Sequence, residues 1–427
     1  MVLTHLALEN FRLFVRFARA LPRGPLLIVG PNAQGKTSLL EAVAFLATFS
    51  SFLTRNDKEI ISFAALRAPL AVARIRAVCA HEAARGQPAQ EIQLEVRIIH
   101  QVRASNHNQT RKEVLVNGVR RKLVDALGLC TTVLFLPQML RLVDGAPELR
   151  RRFLNQSLSQ AQPGYARLLQ DYNRALTQRN ALLKAMQEGQ ARGDELSVWE
   201  HTLADRAARI MQARARAVSD WNRLLTARHW NLLHRTEPLR LVYRPALDVP
   251  EMQNQQPVQE DLFGDATPPV APELLQLSPA ALAEELRQRL AERRIFDLRR
   301  GSTGLGPHRD DLRFMAGGLD LAVYGSRGQV RTALLLLKLA EAAWYTERTG
   351  RKPLLLLDDL LAELDATRRA DILEHFLAAG DQVLLTATDE TAYPAAYRDR
   401  TEIWRLHRGQ VVDGPAAAGS ADHPAGL

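Results

Sequence analysis

Apolar positions along the 427-residue chain follow two different rhythms. As far as residue 136 they alternate with polar ones or gather in short runs, which predicts strands. Residues 2–29 should hold three: Leu3, Leu6 and Leu8 with Phe11, then 14–17, then the unbroken run Leu26-Leu27-Ile28-Val29. A helix-forming stretch follows, Leu39-Leu40-Glu41-Ala42-Val43-Ala44-Phe45. Alternation returns over 70–78 and 92–99. Val114-Leu115-Val116-Asn117-Gly118-Val119 contains an Asn-Gly pair, and both residues tolerate the positive φ of a two-residue hairpin turn. Residues 131–136 predict one more strand before Pro137.

From Pro147 the spacing changes to three and four. Tyr165, Leu169, Tyr172, Leu176, Leu183 and Met186 share one helical face, and Leu196, Trp199, Leu203, Ile210, Val218, Trp221 and Leu225 share another after a break at 189–194. Two such helices across a short turn make an antiparallel hairpin. It is either an arm of about 24 residues, roughly 36 Å long, or a pair of core helices in a bundle. Residues 245–272 contain no Lys or Arg, are rich in Pro and Gln, and are expected to form a disordered acidic loop. A helix over 279–300, short strands at 312–315 and 319–324, and a long helix over 330–346 should follow. Beyond residue 412 the Ala, Gly and Pro content predicts an unstructured tail.

The chemistry concentrates where the third strand meets its helix. Gly30-Pro31-Asn32-Ala33-Gln34-Gly35-Lys36-Thr37-Ser38 has the form of a phosphate-binding P-loop: glycines that let successive N–H groups turn inward, a lysine for the outer phosphates, and a hydroxyl suited to Mg²⁺. The helix behind it adds its positive dipole end. Leu354-Leu355-Leu356-Leu357-Asp358-Asp359 reads as a buried strand ending in two carboxylates. Asp358 is placed to hold Mg²⁺ and Asp359 to orient or activate a hydrolytic water. Tyr324-Gly325-Ser326-Arg327-Gly328-Gln329 leads the long helix and can present an anion site, although on its own it equally describes an ordinary N-cap. His308 beside Asp310 and Asp311 lacks a second histidine at ligand spacing and reads as a turn leading into a strand.

Composition narrows the class. With 46% hydrophobic and 24% charged residues the chain can bury a large core. A net charge of +9 and a pI near 9.9 suit a polyanionic partner such as DNA, with Arg55, Arg74, Arg76, Arg111, Arg120 and Arg121 as candidates from the β region. Only seven of the basic residues are lysines, and GC-rich coding alone would produce that bias. Cys79 and Cys130 make neither a disulfide framework nor a zinc site, which fits a cytoplasmic protein. Nothing resembles a signal peptide or a membrane span.

In this order, P-loop, Ser326 motif and Asp pair resemble the ABC-type ATPases, and the likeness tightens to the RecF family, related to SMC-type ATPases. It is carried by Leu8-Glu9-Asn10-Phe11-Arg12, the P-loop through Ala42, Leu136-Pro137, and Leu142-Val143-Asp144-Gly145-Ala146-Pro147 through Arg151-Arg152-Phe153-Leu154. Gly306-Pro307-His308-Arg309-Asp310-Asp311-Leu312, the Ser326 motif with Arg331-Thr332, and Leu357-Asp358-Asp359 to Leu364-Asp365 complete it. The resemblance implies an α/β fold: an ABC-type ATPase head of mixed sheets flanked by helices, formed by 1–139 and 296–412, with an inserted α-helical arm domain at 140–295. It implies ATP and Mg²⁺ as cofactors, held by residues 30–38, Thr37 and Asp358, with Asp359 activating water. Ser326, Gly328 and Gln329 would complete the site of a second copy in an ATP-dependent homodimer. The implied function is DNA binding at gaps or single/double-strand junctions, with RecO and RecR promoting RecA loading and SOS induction. Slow DNA-stimulated hydrolysis would act as the switch.

Departures from the family pattern are specific. Gln138 stands where an acidic residue is usual and remains a candidate Mg²⁺ ligand. Asn155 replaces an aspartate, and Thr386-Ala387-Thr388 occupies the region where transporter ATPases place a histidine. Ala362-Glu363-Leu364-Asp365 looks like the D-loop. Gln259-Glu260-Asp261-Leu262-Phe263, inside the acidic loop, is similar to the short motif with which bacterial proteins dock on the sliding clamp. An ABC transporter subunit is the first rival and would need a membrane partner. A full SMC organiser needs a far longer arm; a scaffold that binds nucleotide without hydrolysing it stays open as a third alternative, with the presence of Asp359 arguing against it.

Overall fold

The computed structural model describes residues 1–81, 90–102, 109–228, 238–247, 272–359 and 366–413. Within it are two compact units, one formed by 1–120, 354–373 and 380 onward, the other by 121–353 and 374–379. The expected acidic loop (apart from 245–247 and 272), its clamp-like motif with Gln259, Leu262 and Phe263, the D-loop residues 362–365 and the tail from 414 lie outside the described residues.

The first unit holds two sheets. Its strands begin with β1 (Val2–Phe11), β2 (Phe14–Ala20) and β3 (Leu26–Val29), followed by α1 (Lys36–Thr48). Then come β4 (Leu70–His81), β5 (Gln90–Gln101), β6 (Gln109–Val116) and β7 (Val119–Arg121). An antiparallel sheet runs in the order β2-β1-β4-β5-β6-β7. Strict alternation explains why it has one dry face: Ala71, Ala73, Ile75, Ala77 and Cys79 of β4 are buried, as are Leu94, Val96 and Ile98 of β5. The predicted hairpin is present, with Asn117 and Gly118 both at positive φ between β6 and β7.

In the second sheet β3 is central. Going outward on one side lie Val383–Ala387 and Leu354–Asp358, both parallel to their neighbour, and on the other Glu402–His407, parallel, then Gln410–Asp413, antiparallel. Leu354–Asp358 and Val383–Ala387 are buried at every position, as continuous apolar runs in parallel sheets require. α1 packs against both sheets and is buried on nearly every side, from Leu39 through Ala47, which suits its low amphipathicity.

The second unit is mainly helical: Pro147–Ala161, Tyr165–Gln187, Leu196–Arg228, Pro279–Glu292, Arg294–Arg300 and Arg327–Thr349. The hairpin of the second and third helices is built into this unit's core. Leu196–Arg228 also packs on Pro279–Glu292, on Arg327–Thr349 and on a strand, and Trp221 is fully buried between Phe153 and Trp344. Residues 296–353, expected with the ATPase head, fall in this unit because side-chain pairs tie them to its helices. Arg150 binds Asp311, Arg214 binds Asp310, and Ser157 donates to Glu341. Two local expectations change. Leu239–Arg244, unrecognised in the sequence, is a strand paired with Asp311–Ala316, and the expected strand over 319–324 is two residues long before turning into the short helix Leu321–Tyr324.

Candidate functional site

α1 starts with Gly35 at its N-cap, φ 103°, and no side chain caps its first amides. That leaves the orphan N–H groups of the first turn available to an anion. The two glycines are required for different reasons: a Cβ on Gly30 would stand 2.5 Å from the Leu406 backbone carbonyl oxygen, whereas Gly35 sits at φ 103°, a conformation that L side chains rarely adopt. Lys36 is buried, and its ammonium donates to the carbonyls of Gly30 (2.5 Å) and Pro31 (2.8 Å), inside the curve of the loop. Burial lowers its pKa below the ordinary lysine value, while Asp359 and Asp358 act in the opposite direction.

The two carboxylates diverge. Asp358 is buried and accepts from Thr37 Oγ1 at 2.9 and 3.1 Å and from Thr386 Oγ1 at 2.6 Å. Asp359 is exposed, sits at φ 46°, and gives its backbone N–H to Thr386 Oγ1 at 3.0 Å. Strand order produces the cluster: β3, Val383–Ala387 and Leu354–Asp358 are parallel neighbours, so their carboxyl ends deliver the loop, Thr386 and Asp358 to one edge. In the sequence Thr386 only marks the region where a histidine is absent, with no role at the site; the further signal of such a role is a polar residue closing an apolar run, as Asp358 does.

Two further contacts set the loop. The Gln34 side chain accepts from the Arg408 N–H at 2.6 Å and its carbonyl from Gly409 N–H at 3.1 Å, so the tight turn between the last two strands holds it. From the helix, Glu41 is fully buried and takes a two-pronged contact from Arg12 at 2.7 and 2.8 Å together with the Ser51 hydroxyl. A buried carboxylate of this kind needs such partners.

Ser326, in the second unit, caps Arg327–Thr349 with a closed capping box: its hydroxyl accepts from Gln329 N–H at 3.2 Å and Gln329 Oε1 accepts from Ser326 N–H at 2.8 Å. The Gln329 side chain is thus committed to the cap, while Ser326 and Gly328 are exposed. A donor set of loop amides, Lys36, Thr37 and Asp358 fits a nucleotide phosphate with a hard divalent cation.

The family model for the RecF/RecN/SMC N-terminal domain matches residues 2–408. The DNA replication and repair protein RecF of Roseiflexus castenholzii is 35% identical over 416 residues, covering 96% of this chain and 99% of the relative. The chain belongs to the RecF family. The RecF of Chloroflexus aurantiacus is 36% identical over 423 residues, covering 97% and 100%. A solved structure of the recombination mediator protein RecF-ATP in the RecFOR pathway superposes with TM-score 0.77 at 28% identity, covering 97% of this chain and 98% of that one. The α/β architecture is that of an ABC-type ATPase head.

The remaining RecF-like motifs have structural partners. Asp310 accepts from Arg214 at 2.7 Å and from Tyr243, and Asp311 accepts from Arg150 at 2.6 and 3.0 Å. His308 Nδ1 accepts from the Tyr172 hydroxyl at 2.6 Å and Nε2–H donates to the Thr303 carbonyl at 3.0 Å, and burial pushes the imidazole down to about 4. The Gly306–Asp311 motif is therefore an ion-paired turn of the helical unit. Asn155, the departure from the RecF aspartate, accepts from Arg214 at 2.9 Å and Tyr165 at 3.1 Å, a role its amide oxygen fills. Gln138 is exposed in the one-turn helix Pro137–Leu140 of the second unit.

Proposed function

We propose that this chain is an ATP-dependent DNA-binding protein of recombinational repair and replication-fork maintenance, in which ATP joins two copies head to head. The observation that carries the reading is the contact of Thr37 with Asp358 at the start of α1, a hydroxyl and a carboxylate converging beside an uncapped helix end. ATP with Mg²⁺ would supply the phosphoanhydride whose cleavage resets the switch. The loop amides and Lys36 bind the phosphates, and Thr37 and Asp358 offer oxygens of the kind Mg²⁺ takes. Gln138 is a further candidate Mg²⁺ ligand. Asp359, exposed and held by its backbone, orients water.

Ser326 and Gly328 act on the nucleotide of the facing copy, with Gln329 fixing the cap that presents them. Turnover is slow and DNA-stimulated. The working partners are RecO and RecR, the outcome RecA loading on gapped DNA and SOS induction, and the compartment the cytoplasm. Likeness to a RecF-ATP structure of the RecFOR pathway supports this choice. Among the described residues no helix is long and apolar enough to cross a membrane. Contact with the sliding clamp would run through Gln259, Leu262 and Phe263; a labelled 255–267 peptide should bind the clamp and lose binding when Leu262 and Phe263 become Ala.

Light scattering with and without ATP·Mg²⁺ tests the core of the reading. Wild type should dimerise only with nucleotide, Ser326→Arg should stay monomeric, and Asp359→Asn should form a longer-lived dimer. DNA affinity should rise with dimerisation and fall with salt. A highly dilute, monomeric chain that turned over ATP at the full rate would overturn the shared-site reading.

A further inference from the structure

One face of the antiparallel sheet packs inward, and register decides which side chains share the other. Glu9 stands opposite Arg16 on β2 and Arg74 on β4; Arg74 faces Arg97 on β5, which faces Glu113 on β6. Two residues along, Arg76 lies between Ala7 and Glu95, and Ala7 faces Ala18. Arg111 shares the face from two residues before Glu113, and Arg120 reaches Glu113 from β7. With Glu91, which precedes Glu95 by four residues on the same side of β5, six arginines and four glutamates share one surface.

The vertical arrangement matters more than the tally. Glu95 and Glu113 are 13% and 14% exposed, whereas Arg97, Arg76, Arg111 and Arg120 are 34%, 38%, 49% and 70% exposed. Each of these carboxylates is shared by two guanidiniums: Glu95 by Arg97 at 2.5 Å and Arg76 at 3.3 Å, Glu113 by Arg120 at 3.4 Å and Arg111 at 3.5 Å. Each therefore neutralises one charge while steering two, and lies beneath both. Around Glu95 and Glu113 the outermost layer is therefore positive, whereas Glu9 lies level with its partner Arg74, at 37% against 36% exposed, and Glu91 is exposed. Exposed pairs of this kind contribute little to stability, so folding alone does not account for the layering.

The face also has a groove, about 430 Å³, with Ala7 and Ala18 among its lining and Glu9, Arg16, Arg74 and Arg76 around them. Small side chains there let a bulky anion approach the sheet between the arginines. Side chains two apart on a strand are spaced by about 6.7 Å and adjacent strands by about 4.8 Å, which makes a grid of guanidiniums suited to a repeating anion rather than to one isolated phosphate.

We infer that this open sheet face is the nucleic-acid surface, taking a phosphodiester backbone along the groove between Arg16 and Arg74 with Arg76. The inference rests on the DNA-binding reading above and adds where on the first unit the backbone lies. The guanidiniums of this face are suited to phosphate oxygens, which position a backbone, while His5, Gln93 and Gln109 are exposed on the same side of the sheet.

The test uses the full chain with ATP·Mg²⁺ and fluorescent gapped duplex DNA, titrated over a series of salt concentrations. Arg74→Gln with Arg76→Gln and Arg97→Gln should weaken binding at least tenfold near 0.1 M salt and reduce the slope of log affinity against log salt by about two to three. ATP turnover without DNA should be unchanged. An equal charge loss on the second unit, Arg209→Gln with Arg216→Gln and Arg348→Gln, should leave the slope as it was. Arg74→Lys with Arg76→Lys and Arg97→Lys keeps the charges and should keep the slope, which guards against a triple variant that merely misfolds. Equal losses in the two Gln variants, or none in the first, or loss of slope in the folded lysine variant, would overturn the inference while DNA binding itself stood. A wild-type chain that dimerises with ATP yet binds no DNA would overturn both.

Discussion

Thr386 donates its hydroxyl to Asp358 at 2.6 Å and receives the backbone N–H of Asp359 at 3.0 Å. One side chain thereby orients the buried carboxylate and pins the backbone from which the exposed one projects. Positioning groups of this type typically govern metal affinity or turnover by about ten- to a hundredfold. Thr386→Val keeps the shape and removes both hydrogen bonds. We expect ATP turnover to fall by about that factor and the Mg²⁺ requirement to rise, with Thr386→Ser restoring most of both. A Mg²⁺ titration of turnover checks it, and an unchanged midpoint in the valine variant would count against the role.

Gln34 is the loop's attachment to the final strand pair. Removing its acceptor in Gln34→Ala leaves the Arg408 N–H to water and should cost about 1 kcal/mol. The larger effect should fall on nucleotide affinity, because the loop loses its fixed position relative to β3. Equilibrium binding of a fluorescent ATP analogue reads this directly, with thermal unfolding as the companion measurement.

His308 makes the helical unit acid-sensitive. Its imidazole is held neutral, with a pKa pushed from 6.5 to about 4, first by burial and then by Arg309 and Arg151, against the Thr303 carbonyl and Asp310, which raise it. The unfolded chain takes up a proton near pH 6.5 and the folded one does not until about 4. Stability is therefore lost as pH falls through 6.5, reaching roughly 3 kcal/mol at about 1.4 kcal/mol per pKa unit. The melting temperature of wild type should drop between pH 7 and 5 by more than that of His308→Gln. Equal drops would remove His308 as the cause.

Arg214 binds Asp310, Asn155 and the Pro307 carbonyl from a fully buried position. Arg214→Met leaves the Asp310 carboxylate buried with neutral partners only, and the expected cost is about 3–5 kcal/mol in urea denaturation. Pairing it with Asp310→Asn should recover part of that loss, since the stranded charge rather than the missing contact dominates.

Legibility followed distance along the chain. The P-loop, the Asp358-Asp359 strand end, the Asn117-Gly118 turn and the helical periods after Pro147 are properties of neighbouring residues, and the structure contains them all. Leu239–Arg244 escaped because its partner strand begins at residue 311 and the strand is stabilised by that pairing. The helical turn at Leu321–Tyr324 escaped because a run of apolar residues this short fits either period, and the Asp320 carboxylate, capping Ala322 N–H, decides for the helix.

The sequence by itself determined that a phosphate loop, a strand ending in paired acids and a capped long helix exist in that order, since each is written in consecutive side chains and the backbone preferences they impose. Only the tertiary structure decided that Asp358 turns inward to Thr37 and Thr386 while Asp359 faces solvent, that Glu41 answers Arg12, and that arginines from five strands gather on one sheet face. The physical reason is that strand order and register bring distant residues within hydrogen-bonding reach, and that order is a property of the whole packed core rather than of any stretch within it.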